Sequence, residues 1–184
     1  MTTVLIATLL VGCGGTMSNQ PVTMGPRFMQ DHAADIRNAV DHARVAPLGE
    51  RLRVVLPAAL LFADIEANVQ SAALPELIAL AGILGRYDAT QITIEGHTNP
   101  GGQADAAARD LSLRQAQAVA GVLATNGVDV KRLVIIGVGG QRPVADPETL
   151  AGEERNPRIE LMITPVPAWT PPAAAAAADD TTGA

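Results

Sequence analysis

The sequence is poor in several residue types, and each shortage excludes a class of protein. Its 184 residues include one cysteine, so neither an internal disulfide nor a cysteine-based metal site can form. Aromatic residues make up 2% of the chain, which leaves few platforms on which the bases of a single-stranded nucleic acid could stack. Acidic residues outnumber basic ones by 19 to 13, giving a formal net charge of -6. Nucleic acids and anionic membrane surfaces are therefore poor candidates for electrostatic partners.

The one cysteine follows a short apolar segment. Residues 1–12 are too short to span a bilayer, which takes roughly 20 residues, and are typical of the apolar part of an export signal. The letters LVGC that end at Cys13 resemble the lipobox of bacterial lipoproteins, which implies cleavage before Cys13 and attachment of lipid to it. We therefore expect a lipoprotein signal peptide and, because Gly14 rather than Asp follows, the periplasmic face of the outer membrane. No basic residue precedes Arg27, so an apolar terminus with a buried thiol stays the alternative.

The two ends of the chain differ in composition from its middle. Residues 13–27 contain Gly, Ser, Asn and Pro and predict a tether. Residues 165–184 are rich first in Pro and then in Ala, a composition that predicts disorder. Apolar residues recur at helical spacing over residues 29–43, so we expect residues 28–50 to form a helical lead-in. The domain proper is then expected over residues 51–164.

The middle of the chain alternates between two hydrophobic periods. A helical period predicts helices over residues 71–84 and 111–126, the second closed by Gly127 as a C-terminal cap. Four segments carry the pattern of strands: residues 51–56, 91–95, 133–138 and 158–163. Strands separated by helices of this length indicate an α/β fold, in which helices pack on a sheet with some parallel pairing.

Five sequence blocks occur in one order along this middle region. They are LPAALLFADIEANV, ITIEGHTNPGG, LSLRQAQAVAGVLATNGV, IIGVGGQRPVAD and NPRIELMI. In this order the blocks resemble the OmpA-like C-terminal domain, which anchors bacterial outer membranes to peptidoglycan. The resemblance implies a two-layer β/α sandwich with a mixed sheet. It also implies non-covalent binding of the diaminopimelate residue in the peptidoglycan stem peptide.

The resemblance also implies a ligand site, in which this chain departs from the family. In the family pattern, the Asp of a Gly-His-Thr-Asp block accepts from the ligand's ammonium group, and an Arg of a Leu-Ser-x-x-Arg-Ala block pairs with its carboxylate. Here Thr98 matches, but Asn99 and Gln115 stand at the two charged positions. The family-mapped ligand-binding set is Thr98, Asn99, Arg114, Gln115, Asn156, Arg158 and Asp64.

Several members of this set have a second interpretation. Arg114 stands one place before the expected Arg, and because a helix turns about 100° per residue it is expected to leave that face unless its long side chain swings back. The family's Asn-Arg-Arg reads Asn156, Pro157, Arg158, where the proline lacks both a charge and a backbone donor. Asp64 either lies near the site or caps a loop. Two further departures from the family are Ala108 and Glu153.

These substitutions leave two functions open. The first is a lipid-anchored envelope domain whose peptidoglycan association is weakened or altered, since losing two charge-assisted pairs lowers affinity roughly a hundredfold. A stem peptide with an amidated carboxylate would need less charge, and the two amides would suit it. The second is a structural or protein-interaction module of an envelope complex that has lost peptidoglycan binding.

A hydrolase on the same scaffold is a third possibility, but the sequence carries no enzyme signature. No Ser, His and Asp spacing indicates a triad, and the glycines of GVGG lack the strand-to-helix context of a nucleotide loop. His97 has no Cys or paired carboxylates at metal-ligand spacing, which favours a hydrogen-bonded histidine that orients its loop. We therefore expect no enzymatic activity, no cofactor and no metal site.

Overall fold

The computed structural model describes residues 27–63, 67–100 and 105–166, and all structural statements below refer to those ranges. The predicted signal peptide and Cys13 lie outside them, and so does Asp64. Nearly all of the predicted tether and tail also lie outside.

The described chain alternates between helices and strands. Its elements, in chain order, are α1 (Phe28–Ala39), β1 (Arg44–Leu48), β2 (Arg51–Pro57), α2 (Ala58–Leu61), α3 (Leu74–Arg86), β3 (Thr90–His97), α4 (Asp105–Thr125), β4 (Leu133–Gly139), α5 (Leu150–Arg155) and β5 (Arg158–Pro165). Short 3-10 turns precede α3 and β4. Gly127 follows α4 with a φ of 100°, the conformation expected of a C-terminal cap.

The five strands form one mixed sheet in the order β1-β2-β5-β3-β4. Three of the four pairings are antiparallel, and β3 pairs with β4 in parallel. A parallel pair needs a crossover between its strands, and α4 supplies it. The predicted α/β sandwich with a mixed sheet is confirmed.

Alternation along the strands assigns one face of the sheet to the core. Its fully buried strand residues are Leu52, Val54, Leu56, Ile92, Ile94, Ile159, Leu161 and Ile163. The helices α1, α3 and α4 cover this face, and their own apolar stripes join the same core. Intervening strand residues point to the opposite face, which the loop between β4 and β5 covers in part. This opposite face is called the open face below.

The helical lead-in predicted over residues 28–50 is correct for its first half and wrong for its second. The helix α1 ends at Ala39, and Arg44–Leu48 form an antiparallel edge strand beside β2. Pro47 is compatible with this position, because an edge strand need not use every backbone N–H in the ladder. The side chain of His32, which belongs to α1, is fully buried.

Close backbone approach fixes α4 on the sheet. A Cβ added to Gly96 of β3 would lie 2.0 Å from the carbonyl oxygen of Ser112, and one added to Gly137 would lie 2.5 Å from that of Arg109. Neither distance is possible for a side chain, so glycine is required at both crossings. The contact places the N-terminal half of α4 directly beside the end of β3.

Candidate functional site

A cavity of about 770 Å³ opens between α2, the end of β3 and the N-terminal half of α4. Its described lining consists of Ala58, Ala59, Phe62, Ala63, Gln70, Thr98, Asn99, Ala107, Ala108, Leu111, Gln115 and Pro157. Four of these side chains are polar and none of the twelve is ionisable. The structure thus gathers Thr98, Asn99 and Gln115, three members of the family-mapped set, at one mostly apolar cavity.

The end of β3 places two oxygen atoms at this cavity. A register shift at Gly96 and His97 turns the chain, and the backbone N–H of Thr98 then donates to the carbonyl of Gly139 at 3.1 Å. The Asn99 Nδ2 donates to the carbonyl of Glu153 at 3.4 Å, which is a long hydrogen bond. The Thr98 Oγ1 and the Asn99 Oδ1 are buried without a hydrogen-bond partner among the described residues. Both oxygens are therefore acceptors that lack a donor within the described chain.

The position of Gln115 depends on how α4 is attached to the sheet. Ser112 Oγ donates to the carbonyl of Arg109 at 2.9 Å and accepts from the backbone N–H of Gly139 at 2.9 Å. This buried bridge sets the rotation of α4 about its axis. Gln115, three residues further along, is then 4% exposed and lines the cavity. Ser112 of the Leu-Ser pair thus has a structural role in placing Gln115 at the cavity.

Arg114 does not reach the cavity. Its side chain is exposed and pairs with Asp110, one helical turn earlier, at 3.0 Å. A pair of this kind contributes only about 0.3–0.5 kcal/mol to stability. The turn of the helix per residue separates Arg114 from Gln115, as the sequence indicated, and no swing back toward the cavity is present.

Asn156 and Arg158 also lie away from the cavity. The fully buried Asn156 accepts from the backbone N–H groups of Val144 and Ala145 at 2.8 and 3.0 Å, which ties down the loop before α5. Arg158 points to the open face and donates to Glu160 Oε1 at 2.6 Å. Both residues organise the β4–β5 region, and neither is positioned to contact a ligand bound in the cavity.

His97 is buried beneath the same turn and carries no charge at neutral pH. Burial lowers its pKa to about 4, and the nearby Arg158 guanidinium acts in the same direction. Its Nε2 lies 3.4 Å from Glu95 Oε2 without forming a hydrogen bond, and neither ring nitrogen has a partner in the described ranges. The hydrogen bond predicted for this histidine is therefore not found there. Within the described ranges, no three His, Cys, Asp or Glu side chains are grouped as metal ligands.

The apolar wall of the cavity was not predicted from the sequence. It is formed by Ala58, Phe62 and neighbouring residues, together with Pro157, whose carbonyl accepts from the backbone N–H of Ala58 at 3.0 Å. The sequence feature that corresponds to this wall is the apolar segment LPAALLFA, which begins at the end of the strand β2 and is too short to form a long helix. Its small side chains leave the space that becomes the cavity.

Comparison with known families identifies the domain. The OmpA family model matches residues 61–157, more than half of the 184 residues. The chain belongs to the OmpA family. This OmpA-family domain contains all the cavity-lining residues except those at the start of α2, and the family predicted from the five sequence blocks is confirmed.

Several named proteins are similar in sequence to the OmpA-family chain. Escherichia coli YiaD, described as a probable lipoprotein, is 30% identical over 118 residues, which cover 64% of this chain and 53% of YiaD. Outer membrane porin F of Pseudomonas fluorescens is 40% identical over 84 residues, 46% of this chain and 26% of the porin. The chain thus spans about half the length of YiaD and about a quarter of the porin.

Solved structures share the fold. The cell wall anchor of the T6SS from Pseudomonas aeruginosa has a TM-score of 0.61 at 29% identity and covers 76% of this chain and 95% of that one. The peptidoglycan-associated lipoprotein from Burkholderia pseudomallei has a TM-score of 0.52 at 25% identity and covers 57% and 88%. A MotB-like protein from Desulfovibrio vulgaris reaches a TM-score of 0.68 at 18% identity, a likeness of fold alone. Among the described helices, none has the length and hydropathy of a membrane span.

Proposed function

We propose that this OmpA-family domain associates non-covalently with the stem peptide of peptidoglycan through the cavity lined by Thr98, Asn99 and Gln115. The observation that carries the proposal is the pair of buried, unpartnered oxygens on Thr98 and Asn99, two residues that line the concave site. Buried acceptors left without donors are unfavourable, and a ligand that supplies N–H groups would remove that cost. The names of two structural relatives, a cell wall anchor and a peptidoglycan-associated lipoprotein, support the same ligand class.

The ligand that suits this cavity carries less charge than free diaminopimelate. The described lining contains no ionisable side chain, so a carboxylate entering it would lose water without gaining a cation. A primary amide in place of that carboxylate can exchange hydrogen bonds with an amide such as Gln115 without this cost. We therefore propose that the preferred stem peptide is amidated, and that the unmodified peptide binds roughly a hundredfold more weakly than it would bind an Asp and Arg pair.

The cellular setting is part of the proposal. A domain held at the periplasmic face of the outer membrane by lipid on Cys13 would lie within reach of the cell wall. The names of the sequence relatives, which include an outer-membrane lipoprotein of Pseudomonas aeruginosa, support the envelope. The role is binding rather than catalysis, in keeping with a cavity that presents amides and a hydroxyl and no described general acid or base.

The test compares two synthetic stem peptides, one with free diaminopimelate and one with its amide, in calorimetric titrations of the protein. We expect the wild-type protein to bind the amidated peptide more tightly. An Asn99→Asp/Gln115→Arg variant should reverse this preference and gain roughly a hundredfold for the free peptide. An Asn38→Asp/Gln117→Arg variant makes the same charge changes at exposed positions and should behave as wild type.

A second function is favoured by the apolar lining of the cavity. Ala58, Phe62, Leu111 and Pro157 would suit the apolar side chain of a protein partner in an envelope complex as well as a sugar-linked peptide. If only the double variant binds a stem peptide, the fold is intact and the native protein serves this second function. If neither protein binds either peptide, the cavity is not a peptidoglycan site. Mass spectrometry should show intact muropeptides in every case, and cleaved ones would establish a hydrolase.

A further inference from the structure

The open face of the sheet carries a second concave site, separate from the cavity described above. It is a depression of about 560 Å³ between the strands β2, β3 and β5 and the loop that follows β4. Its described lining includes four arginines, Arg51, Arg53, Arg142 and Arg158, which together are called the arginine face. Two carboxylates, Glu95 and Glu160, also line it. The local charge is therefore positive, although the chain as a whole carries a formal charge of -6.

Two arginines of this face are paired with carboxylates of the described chain, and two are not. Arg142 Nη1 lies 3.0 Å from Glu95 Oε2, and Arg158 Nε lies 2.6 Å from Glu160 Oε1. Neither Arg51 nor Arg53 has an ion pair with a described carboxylate. These two residues stand two apart on β2, so alternation directs both side chains to the same face. The uncompensated charge is thus concentrated at one end of the depression.

Arg53 provides the observation that points to a ligand. Its side chain is half-buried, and its Nε is buried without a hydrogen-bond partner among the described residues. A buried donor on a charged group is costly when unpaired, so a site of this kind is explained by an anion that fills it. Thr93 on β3 and Thr164 on β5 line the same depression and add two hydroxyl donors.

We propose that the arginine face binds a phosphate group. The available donors stand on three neighbouring strands, and a tetrahedral oxyanion has more oxygens with which to accept from them than a planar carboxylate has. Two unpaired guanidinium groups match the charge of a phosphate dianion, and the fork of each arginine matches two phosphate oxygens. The depression is open enough for the phosphate to belong to a larger molecule, either a phospholipid headgroup or a soluble phosphate.

The test uses the full chain and inorganic phosphate as the probe. Calorimetric titration at constant ionic strength should show saturable binding to the wild-type protein. An Arg51→Gln/Arg53→Gln variant should bind about a hundredfold more weakly, roughly tenfold for each charge-assisted contact removed. An Arg37→Gln/Arg114→Gln variant changes the net charge equally at exposed sites on two helices and should keep wild-type affinity. Circular dichroism of each variant verifies that it folds.

The outcomes test three points in turn: whether the arginine face is the binding site, whether phosphate is the anion, and whether the phosphate belongs to a lipid or to a soluble molecule. Equal phosphate affinity in the wild type and the Arg51/Arg53 variant, or no saturable binding by phosphate and by vesicles alike, would overturn the proposal. Citrate binding as tightly as phosphate would overturn the choice of phosphate.

The source of the phosphate is tested with vesicles of phosphatidylcholine and phosphatidic acid. Co-sedimentation would support the site and assign a lipid headgroup if it is lost in the Arg51/Arg53 variant and absent with phosphatidylcholine alone. Saturable phosphate binding without co-sedimentation would support a soluble phosphate. None of these results depends on the peptidoglycan cavity.

Discussion

The pKa values of single side chains in this protein are shifted mainly by burial. His32 has both ring nitrogens without described partners, and its ring stacks on Tyr87 with centroids 4.1 Å apart and planes within 2°. Burial is the main reason that its pKa is lowered to about 4, and Arg132 contributes in the same direction. The Tyr87 pKa is raised, first by burial and then by its hydrogen bond to Asp35. This histidine is a neutral aromatic member of the core.

The first prediction concerns the pH dependence of stability. Above the ordinary His pKa of 6.5 the folded and unfolded states both hold His32 neutral. Between pH 6.5 and about 4 only the unfolded state takes up the proton, so stability falls as the pH falls. The loss from this residue is at most about 1.4 kcal/mol per pH unit, or about 3 kcal/mol in all. Urea unfolding from pH 8 to pH 4 measures it.

A His32→Phe variant is the matched comparison for this prediction. Phenylalanine keeps the stack on Tyr87 but cannot bind a proton, so its stability should fall less steeply in the same pH range. His97, also buried with a pKa lowered to about 4, still titrates in the variant and accounts for the remaining slope. Identical slopes for wild type and variant would show that His32 does not contribute.

At the scale of elements, the contact of α4 with β3 and β4 positions the site. Gly96 and Gly137 let the helix backbone approach the strands, and Ser112 joins the helix to Gly139. The same contact holds Gln115 at the cavity. A shift of α4 by a fraction of an ångström would therefore alter both the packing and the position of Gln115.

The second prediction tests this contact with two alanine substitutions. The Gly96→Ala change places a Cβ 2.0 Å from a backbone oxygen of α4, so the helix must move and stability should fall by about 3 kcal/mol or more. The Gly121→Ala change lies in the same helix with nothing within 4 Å of the new Cβ, and it should stabilise by up to about 1 kcal/mol. Thermal unfolding measures both. A Gly96→Ala protein as stable as wild type would mean that the contact is looser than described.

Element patterns also explain which residues of the family-mapped set line one cavity. Thr98 and Asn99 follow the end of β3 and Gln115 lies midway along α4, and the glycine contacts bring these two elements together. Arg158 could have been excluded from the cavity by alternation alone, since Ile159, Leu161 and Ile163 face the core and Arg158 therefore faces away. The strand β1 was missed because five residues with a proline in the fourth place carry little periodic signal, and pairing with β2 decides their structure.

At the scale of the whole molecule, the negative net charge gave no indication of a local positive charge. A net charge of -6 argued against anionic surfaces, yet four arginines share one face of the sheet. Strand pairing sets Met162 of β5 between Arg53 of β2 and Thr93 of β3, positions far apart in sequence. Composition cannot detect such a cluster, because it forms only when the register of three strands is fixed.

The last prediction concerns how this molecule is held at a membrane. If lipid on Cys13 is the anchor, a Cys13→Ser protein should leave the membrane fraction in a salt wash, because several acyl chains together supply an anchoring energy that a soluble domain lacks. A Gly14→Asp protein keeps the cysteine and should stay in the membrane fraction, moving from the outer to the inner membrane in an enterobacterial host. Fractionation followed by immunoblotting measures both.

The salt wash separates the anchor from the arginine face. Electrostatic attachment to phosphate headgroups weakens as salt is added, whereas an acyl anchor resists salt. Tethering would in turn raise the local concentration of headgroups around Arg51 and Arg53, so an anchored protein could use a phosphate site too weak to hold it alone. If Cys13→Ser protein stays in the membrane fraction after the wash, the lipid anchor is disproved. If it stays only at low salt, and a further Arg51→Gln/Arg53→Gln change releases it, the two attachments act together.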